Sequence, residues 1–102
     1  MSSESILRVD DLVMDQIAHR VSRAGNDIDL TGKEYVLLEY LKLNAGQILT
    51  RKMISEHVWN EGFKSFTNVI DVYIGYLRNK IDRGHERKLI QTVRGIGYRL
   101  KG

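Results

Sequence analysis

The hydrophobic rhythm of the chain changes twice. From Ile6 to Leu30 the apolar residues fall in short clusters, Ile6 to Val13, Ile17 to Ser22 and Ile28 to Leu30, with partial alternation at Ile17, His19 and Val21. Side chains alternate between faces along a strand, so this rhythm predicts a β-meander. Asp15-Gln16 and Ala24-Gly25-Asn26-Asp27 separate the clusters, and the second contains residues that tolerate the positive φ of hairpin turns.

At Leu30-Thr31-Gly32-Lys33-Glu34 the rhythm becomes helical. Thr31 and Glu34 have the spacing of a capping box, in which each side chain satisfies a free backbone N–H at a helix start. Tyr35, Leu38 and Leu41 then share a face that Leu37 widens, and Asn44 or Gly46 can take the left-handed position that ends the helix. Thr50 caps a second predicted helix, Arg51 to Trp59, which buries Ile54 and Val58. After a loop, Asn60 to Thr67, a third and longer helix is predicted from about Asn68 to Asp82, capped by Thr67 or Ser65. Leu89 to Val93 and Tyr98 to Lys101 then flank Gly95-Ile96-Gly97 as a hairpin. Meander, three helices and hairpin make an α+β arrangement.

The third helix has two chemically different faces. Ile70, Ile74, Leu77 and Ile81 form one narrow apolar stripe at helical spacing. Opposite lie Asn68, Val72, Gly75, Tyr76 and Asn79, with Tyr73 and Lys80 on one flank and Asp71 and Arg78 on the other. A face that met only water would carry mostly Lys and Glu. Amides can instead hydrogen-bond base edges, Val can touch a thymine methyl, and Arg or a Tyr hydroxyl can hold phosphate. The structural alternative is that Tyr73 and Tyr76 lie over neighbouring elements and that Gly75 permits close packing.

Charge sharpens this picture. The net formal charge is +3, but residues 1–50 carry five Lys/Arg against eight acids, whereas residues 51–102 carry eleven against five. A basic C-terminal half suits a polyanion, although surface Lys and Arg often serve only solubility. The capped helices, the selective outer face and the basic hairpin together have the organisation of a winged helix. Its third helix enters a major groove, and its hairpin places Thr92 and Arg94 at an adjacent minor groove or at phosphates.

Other chemistries lack their parts. There is no Cys, and His19, His57 and His85 share no metal-ligand spacing. His57 reads as a helix-surface or boundary residue. Asp10-Asp11 would point to opposite faces of a strand, and Gly95-Ile96-Gly97 lacks the third glycine and following helix of a dinucleotide loop. No enzyme, metal or cofactor is therefore expected. Without an N-terminal leader pattern or a long apolar run, the reading is cytoplasmic with no membrane partner.

The stretches LTGKEYVLLEYL (30–41), LTRKMISEHVW (49–59), TNVIDVYIGYLRNKID (67–82) and LIQTVRGIGYRL (89–100) resemble the OmpR/PhoB-type winged-helix effector domain of bacterial two-component response regulators. The second and third are most similar to the branch that answers copper and other heavy metals. The resemblance implies a winged helix-turn-helix over residues 6–102, with a four-stranded antiparallel N-terminal sheet, three helices and a wing, preceded by a linker or tail at 1–5. By position it makes Asn68, Tyr73 and Arg78 backbone contacts and Val72, Gly75 and Tyr76 base-facing, with Asn79 and Lys80 on the same helix and Thr92 and Arg94 on the wing. The loop residues Glu61, Gly62, Phe63 and Lys64 become a contact for RNA polymerase. Many relatives place an Arg-Arg pair where this chain has Gly75-Tyr76, so their base preferences do not transfer.

The same resemblance implies double-stranded promoter DNA with direct repeats as the partner. It also implies a sensor kinase acting through a receiver domain that these residues do not include. The isolated domain is expected to be a monomer and the longer protein a dimer. A winged helix that serves only protein contacts is the competing function, favoured by the apolar Phe63 and Phe66.

Overall fold

The computed structural model describes residues 6–59 and 67–101. Four strands, β1 (Ile6–Val9), β2 (Leu12–Asp15), β3 (Arg20–Arg23) and β4 (Asn26–Ile28), pair in sequence order as an antiparallel sheet. The segment Ile6 to Val13 is thus two strands and not one. Asp10, at φ 55, turns the chain back on itself, and Leu7 comes to face Met14. The next cluster also starts later than its apolar pattern predicts. Asp15 Oδ1 accepts hydrogen bonds from the N–H of Ile17 and Ala18, both at 3.1 Å, and the resulting turn leaves Ile17 81% exposed. The β3–β4 connection is the two-residue loop Ala24-Gly25, both at positive φ, which follows the right-handed strand twist.

The helices follow the capping chemistry closely. Helix α1 (Gly32–Leu43) begins with a complete capping box: Thr31 N–H donates to Glu34 Oε1 at 2.9 Å, and Glu34 N–H donates back to Thr31 Oγ1 at 3.4 Å. Asn44 is its C-cap, and Gly46 takes the left-handed conformation at φ 87. Strand β5 (Leu49–Thr50) runs directly into α2 (Arg51–Val58), whose cap Thr50 accepts from Met53 N–H at 3.1 Å. Helix α3 spans Thr67–Leu77, shorter than the predicted 68–82, because Arg78–Asp82 widen into one π turn closed by Arg83 N–H donating to Arg78 O at 2.9 Å. The predicted cap at Ser65 lies outside the described residues.

The hairpin consists of β6 (Ile90–Val93) and β7 (Gly97–Leu100), and it is not free-standing. Leu49 and Thr50 pair with Tyr98 and Gly97, so β5-β7-β6 form a second sheet that roots the wing in the helical body. The approach is close: a Cβ at Gly97 would lie 2.0 Å from Leu49 O, so only glycine fits there.

One core joins all layers. Leu12, Met14, Leu37, Leu38, Leu41, Ile54, Ile74, Leu77, Ile81, Leu89 and Leu100 are each fully buried. Each such side chain contributes about 1.5–3 kcal/mol by leaving water. The predicted stripe Ile70, Ile74, Leu77 and Ile81 is the buried face of α3 and its π turn. Among the described residues burial also takes in four charged ones, Arg23, Glu34, Lys42 and Asp82. Arg23 bonds Asp11 Oδ1 at 2.8 Å, Ile81 O at 2.7 Å, Asp82 Oδ1 at 2.9 Å and Arg87 O at 2.6 Å. Asp82 in turn accepts from Leu89 and Ile90 N–H, both at 3.0 Å. Asp10 and Asp11 therefore serve as partners of Arg87 and Arg23, from a turn rather than from opposite faces of a strand.

Lys42 is different, because among the described residues its amine donates only to the carbonyls of Leu7 at 2.6 Å and Leu12 at 2.9 Å. Burial, reinforced by the charge of Arg8, lowers it from an ordinary 10.5 to about 8. Between those values the unfolded chain holds a proton that the folded chain has released, so stability rises with pH. In urea melts the unfolding midpoint is expected to climb from pH 8 toward pH 10, and Lys42→Met should lack that climb. A wild-type profile that is flat or falling over this window would show that Lys42 is not desolvated in the way described.

Candidate nucleic-acid interface

The outward face of α3 is assembled by default, since its opposite face is fixed in the core. Val72 is 44% and Tyr76 47% exposed, and Asn68 and Asn79 also face solvent. Among the described residues a Cβ on Gly75 would meet nothing within 4 Å, so this glycine serves no close packing against them and leaves an open notch between Val72 and Tyr76. Tyr73 is half-buried instead. Its ring meets Trp59 edge-on at 5.2 Å and Tyr76 at 5.3 Å, which makes it a boundary residue that props Tyr76 outward. Lys80 turns from the groove face toward α1, where its amine donates to Glu34 Oε1 at 2.6 Å. Burial pushes the Glu34 carboxyl up, but the hydrogen bonds from Lys80 and Thr31 outweigh it and leave it below the ordinary carboxylate value.

For Arg78 the family resemblance implies a contact with the DNA backbone. In the free protein its Nε and Nη2 donate to Ile90 O at 3.3 and 3.2 Å, and Nη2 donates to Thr92 Oγ1 at 2.5 Å. Arg78 and Thr92, two of the predicted contacts, are thus bonded to each other and fix the angle between helix and wing.

Tyr98 lies at the centre of this arrangement. Its hydroxyl donates to Asp71 Oδ1, and the guanidinium groups of Arg51 and Arg78 lie over its ring at 5.4 and 5.7 Å. Arg51 Nε also donates to Asp71 Oδ1, at 3.1 Å. Burial lowers the Arg51 pKa, but the bond to Asp71 more than offsets this and raises it. Burial and the Asp71 charge together raise that of the Tyr98 hydroxyl. The meeting of Arg51, Asp71 and Tyr98 is not legible in the sequence, because α2, α3 and β7 bring them together only in three dimensions.

At the wing tip, Gly95 takes φ 76 and Ile96 N–H closes on Val93 O at 3.0 Å. Arg94 occupies this turn, beyond the strand that carries Thr92, and both side chains are exposed. Arg99 is occupied by Gln91 Oε1 at 2.8 and 3.0 Å, a cross-strand bond within the hairpin. The predicted loop contacts Glu61, Gly62, Phe63 and Lys64, and Phe66, lie outside the described residues. Among the described residues, no cluster of His, Cys, Asp and Glu could hold a metal ion, and no helix is long and apolar enough to cross a membrane. His57 is an exposed helix residue stacked on Tyr40 at 4.0 Å.

A capped helix pair whose last helix presents amides, Val and Tyr, beside a hairpin tied to it through arginines, defines a winged helix-turn-helix. The chain belongs to the family described as "Transcriptional regulatory protein, C terminal", whose model matches residues 25–100. It is 48% identical over 98 residues to the transcriptional regulatory protein CusR of Escherichia coli strain K12, covering 96% of this chain and 43% of CusR. Against the transcriptional regulatory protein PcoR of Escherichia coli it is 50% identical over 97 residues, covering 95% of this chain and 43% of PcoR. The chain thus spans less than half the length of these relatives.

Among solved structures it superposes on the DNA-binding domain of CpxR from E. coli with TM-score 0.83 and 34% identity, covering 95% and 96% of the two chains. The Klebsiella pneumoniae RstA DNA-binding domain, solved in complex with the RstA box, gives TM-score 0.85 and 25% identity, covering 94% and 96%. The family is one of transcription regulators and not of enzymes.

The Tyr98 cluster can be tested without any ligand. Tyr98→Phe keeps the ring and removes the hydroxyl, and is expected to lower stability by about 1 kcal/mol. In a double-mutant cycle with Asp71→Asn the two losses should be coupled. Strict additivity would mean that the hydroxyl and the carboxylate act independently.

Proposed function

We propose that this chain is the sequence-reading half of a two-component response regulator and binds double-stranded promoter DNA. Helix α3 lies in the major groove and the wing at the neighbouring minor groove or phosphate strand. The observation that carries this reading is the face of α3, where Val72, Tyr76, Asn68 and Asn79 stand exposed around an open glycine instead of a solvating layer of Lys and Glu. The resemblance of CusR, PcoR and the CpxR and RstA domains supports it.

Within this reading Val72 and Tyr76 meet base edges, with Gly75 leaving room between them. Asn68, Arg94 and Thr92 contact the backbone or the minor groove. Arg51 and Arg78 offer phosphates their terminal nitrogens, of which only Arg78 Nη2 has a hydrogen bond among the described residues. Tyr73 and Lys80 act indirectly, by holding Tyr76 and the end of the helix.

Selection of duplexes from a random pool by the purified domain at near-physiological salt tests the proposal. Enrichment of a short motif repeated at about one helical turn is expected. Arg94→Ala should then weaken binding to all duplexes alike, while Tyr76→Ala should change the motif itself. Equal affinity of Arg94→Ala and wild type for the enriched duplex would remove the wing from the interface. Recovery of no motif, even by an enforced dimer, would favour a winged helix that serves proteins.

In the longer protein a receiver domain answering a sensor kinase would drive dimer formation on direct repeats, in the cytoplasm. The linker at 1–5 would join it to residues 6–102. The loop 60–67 is further proposed to contact RNA polymerase. Substitution of Glu61 or Lys64 should then reduce transcription activation in a reconstituted assay and leave DNA affinity intact, and a parallel loss of both would refute the contact.

A further inference from the structure

Beside the wing, on the side away from its tip, the π turn at the end of α3 and the outer edge of β6 enclose a cleft of about 400 Å³ lined by Arg78, Asn79, Asp82, Arg83, Lys88 and Ile90. Three cations line it against one carboxylate, and that carboxylate is already satisfied. Asp82 is bonded to Arg23 and to the N–H groups of Leu89 and Ile90, so it withholds little positive charge from the cleft.

The cleft owes its shape to the π turn. Arg83 N–H bonds Arg78 O, five residues back, and the wider ring carries the chain outward before it returns to β6. Turns of this kind occur disproportionately at functional sites. Lys88 donates to Asp82 O at 2.9 Å, which holds its ammonium at the cleft, while Arg83 and Asn79 are exposed beside it. Arg78 belongs both to this cleft and to the wing clasp, so the cleft is continuous with the proposed DNA surface.

We infer that this cleft is a further phosphate site, in which Arg83 and Lys88, with Asn79 and the outer edge of Arg78, take a DNA backbone phosphate beyond those reached by the α3 face and the wing tip. The inference rests on the DNA-binding reading above and extends its footprint to residues that base-facing geometry does not include. A guanidinium offers a planar fork of donors and the ammonium a point charge, a pairing that suits a tetrahedral anion approached from two sides. Such a contact is blind to sequence. It adds affinity and register and leaves the motif unchanged.

The test is equilibrium binding of wild type, Arg83→Ala and Arg94→Ala to the selected duplex between 50 and 200 mM salt. Arg83 is exposed, and an unchanged urea midpoint verifies that the variant folds. Loss of one phosphate contact lowers the slope of log affinity against log salt by about 0.9, so the wild-type advantage should be about threefold larger at the lower salt than at the higher. A duplex with one neutral methylphosphonate, scanned along the strand, should find a position that weakens wild type and leaves Arg83→Ala unaffected. The selected motif should be the same for both proteins.

If Arg83→Ala matches wild type in affinity and slope while Arg94→Ala is weakened, the cleft holds no DNA phosphate and the inference fails alone. If wild type itself does not bind duplex DNA, the inference and the reading beneath it fail together. If inorganic phosphate shifts the amide signals of residues 78–88 but the slope is unmoved, the cleft binds free anions and not DNA, which also overturns the proposal.

Discussion

A single buried guanidinium holds the parts of this domain in register. Arg23 belongs to the N-terminal sheet, yet its bonds end on the β1–β2 turn, on the π turn after the recognition helix and on the segment that leads into the wing. Asp82 completes the knot by accepting from the first two residues at the base of the wing. The attraction within such a pair is largely offset by the desolvation of both charges. Its consequence is therefore geometric: with all three guanidinium nitrogens of Arg23 and both carboxylate oxygens of Asp82 bonded, one relative placement of sheet, helix end and wing satisfies them together.

The second organising contact is made at the surface. Tyr98 is placed by β7 beneath the guanidinium groups of Arg51 and Arg78, and its hydroxyl is bonded to Asp71 on α3. Helix α2, helix α3 with its π turn, and the wing all supply members of this cluster. The arginines are thereby partly ordered before any ligand arrives, which reduces the side-chain entropy lost on binding. The rigid root of the wing works in the same direction, since the close approach of Gly97 to Leu49 leaves the hairpin little freedom to pivot.

The site is also shaped by what it omits. Where an Arg pair would have supplied cations to the groove face, Gly75 and Tyr76 present a notch and a ring. On the proposed DNA-binding reading, nonspecific attraction would then depend more on charges around the rim, at Arg51, Arg78, Arg83, Lys88 and Arg94. This distribution agrees with the excess of Lys and Arg in residues 51–102 and with the modest net charge of +3.

Local chemistry was legible wherever a short run of residues decides its own conformation. The capping box at Thr31 and Glu34, the Thr50 cap, the apolar stripe from Ile70 to Ile81 and the glycine turn of the wing follow from spacing alone, because each depends on contacts within a few residues. The exposure of Val72 and Tyr76 followed from the same periodicity. What tertiary structure alone decided are matters of long-range pairing. Those are the division of the first apolar run at Asp10, the pairing of β5 with the wing, the π turn, the diversion of Lys80 to Glu34 and the meeting of Arg51, Asp71 and Tyr98. A one-dimensional pattern records which side of an element a residue faces, whereas the partner it finds depends on how separate elements pack.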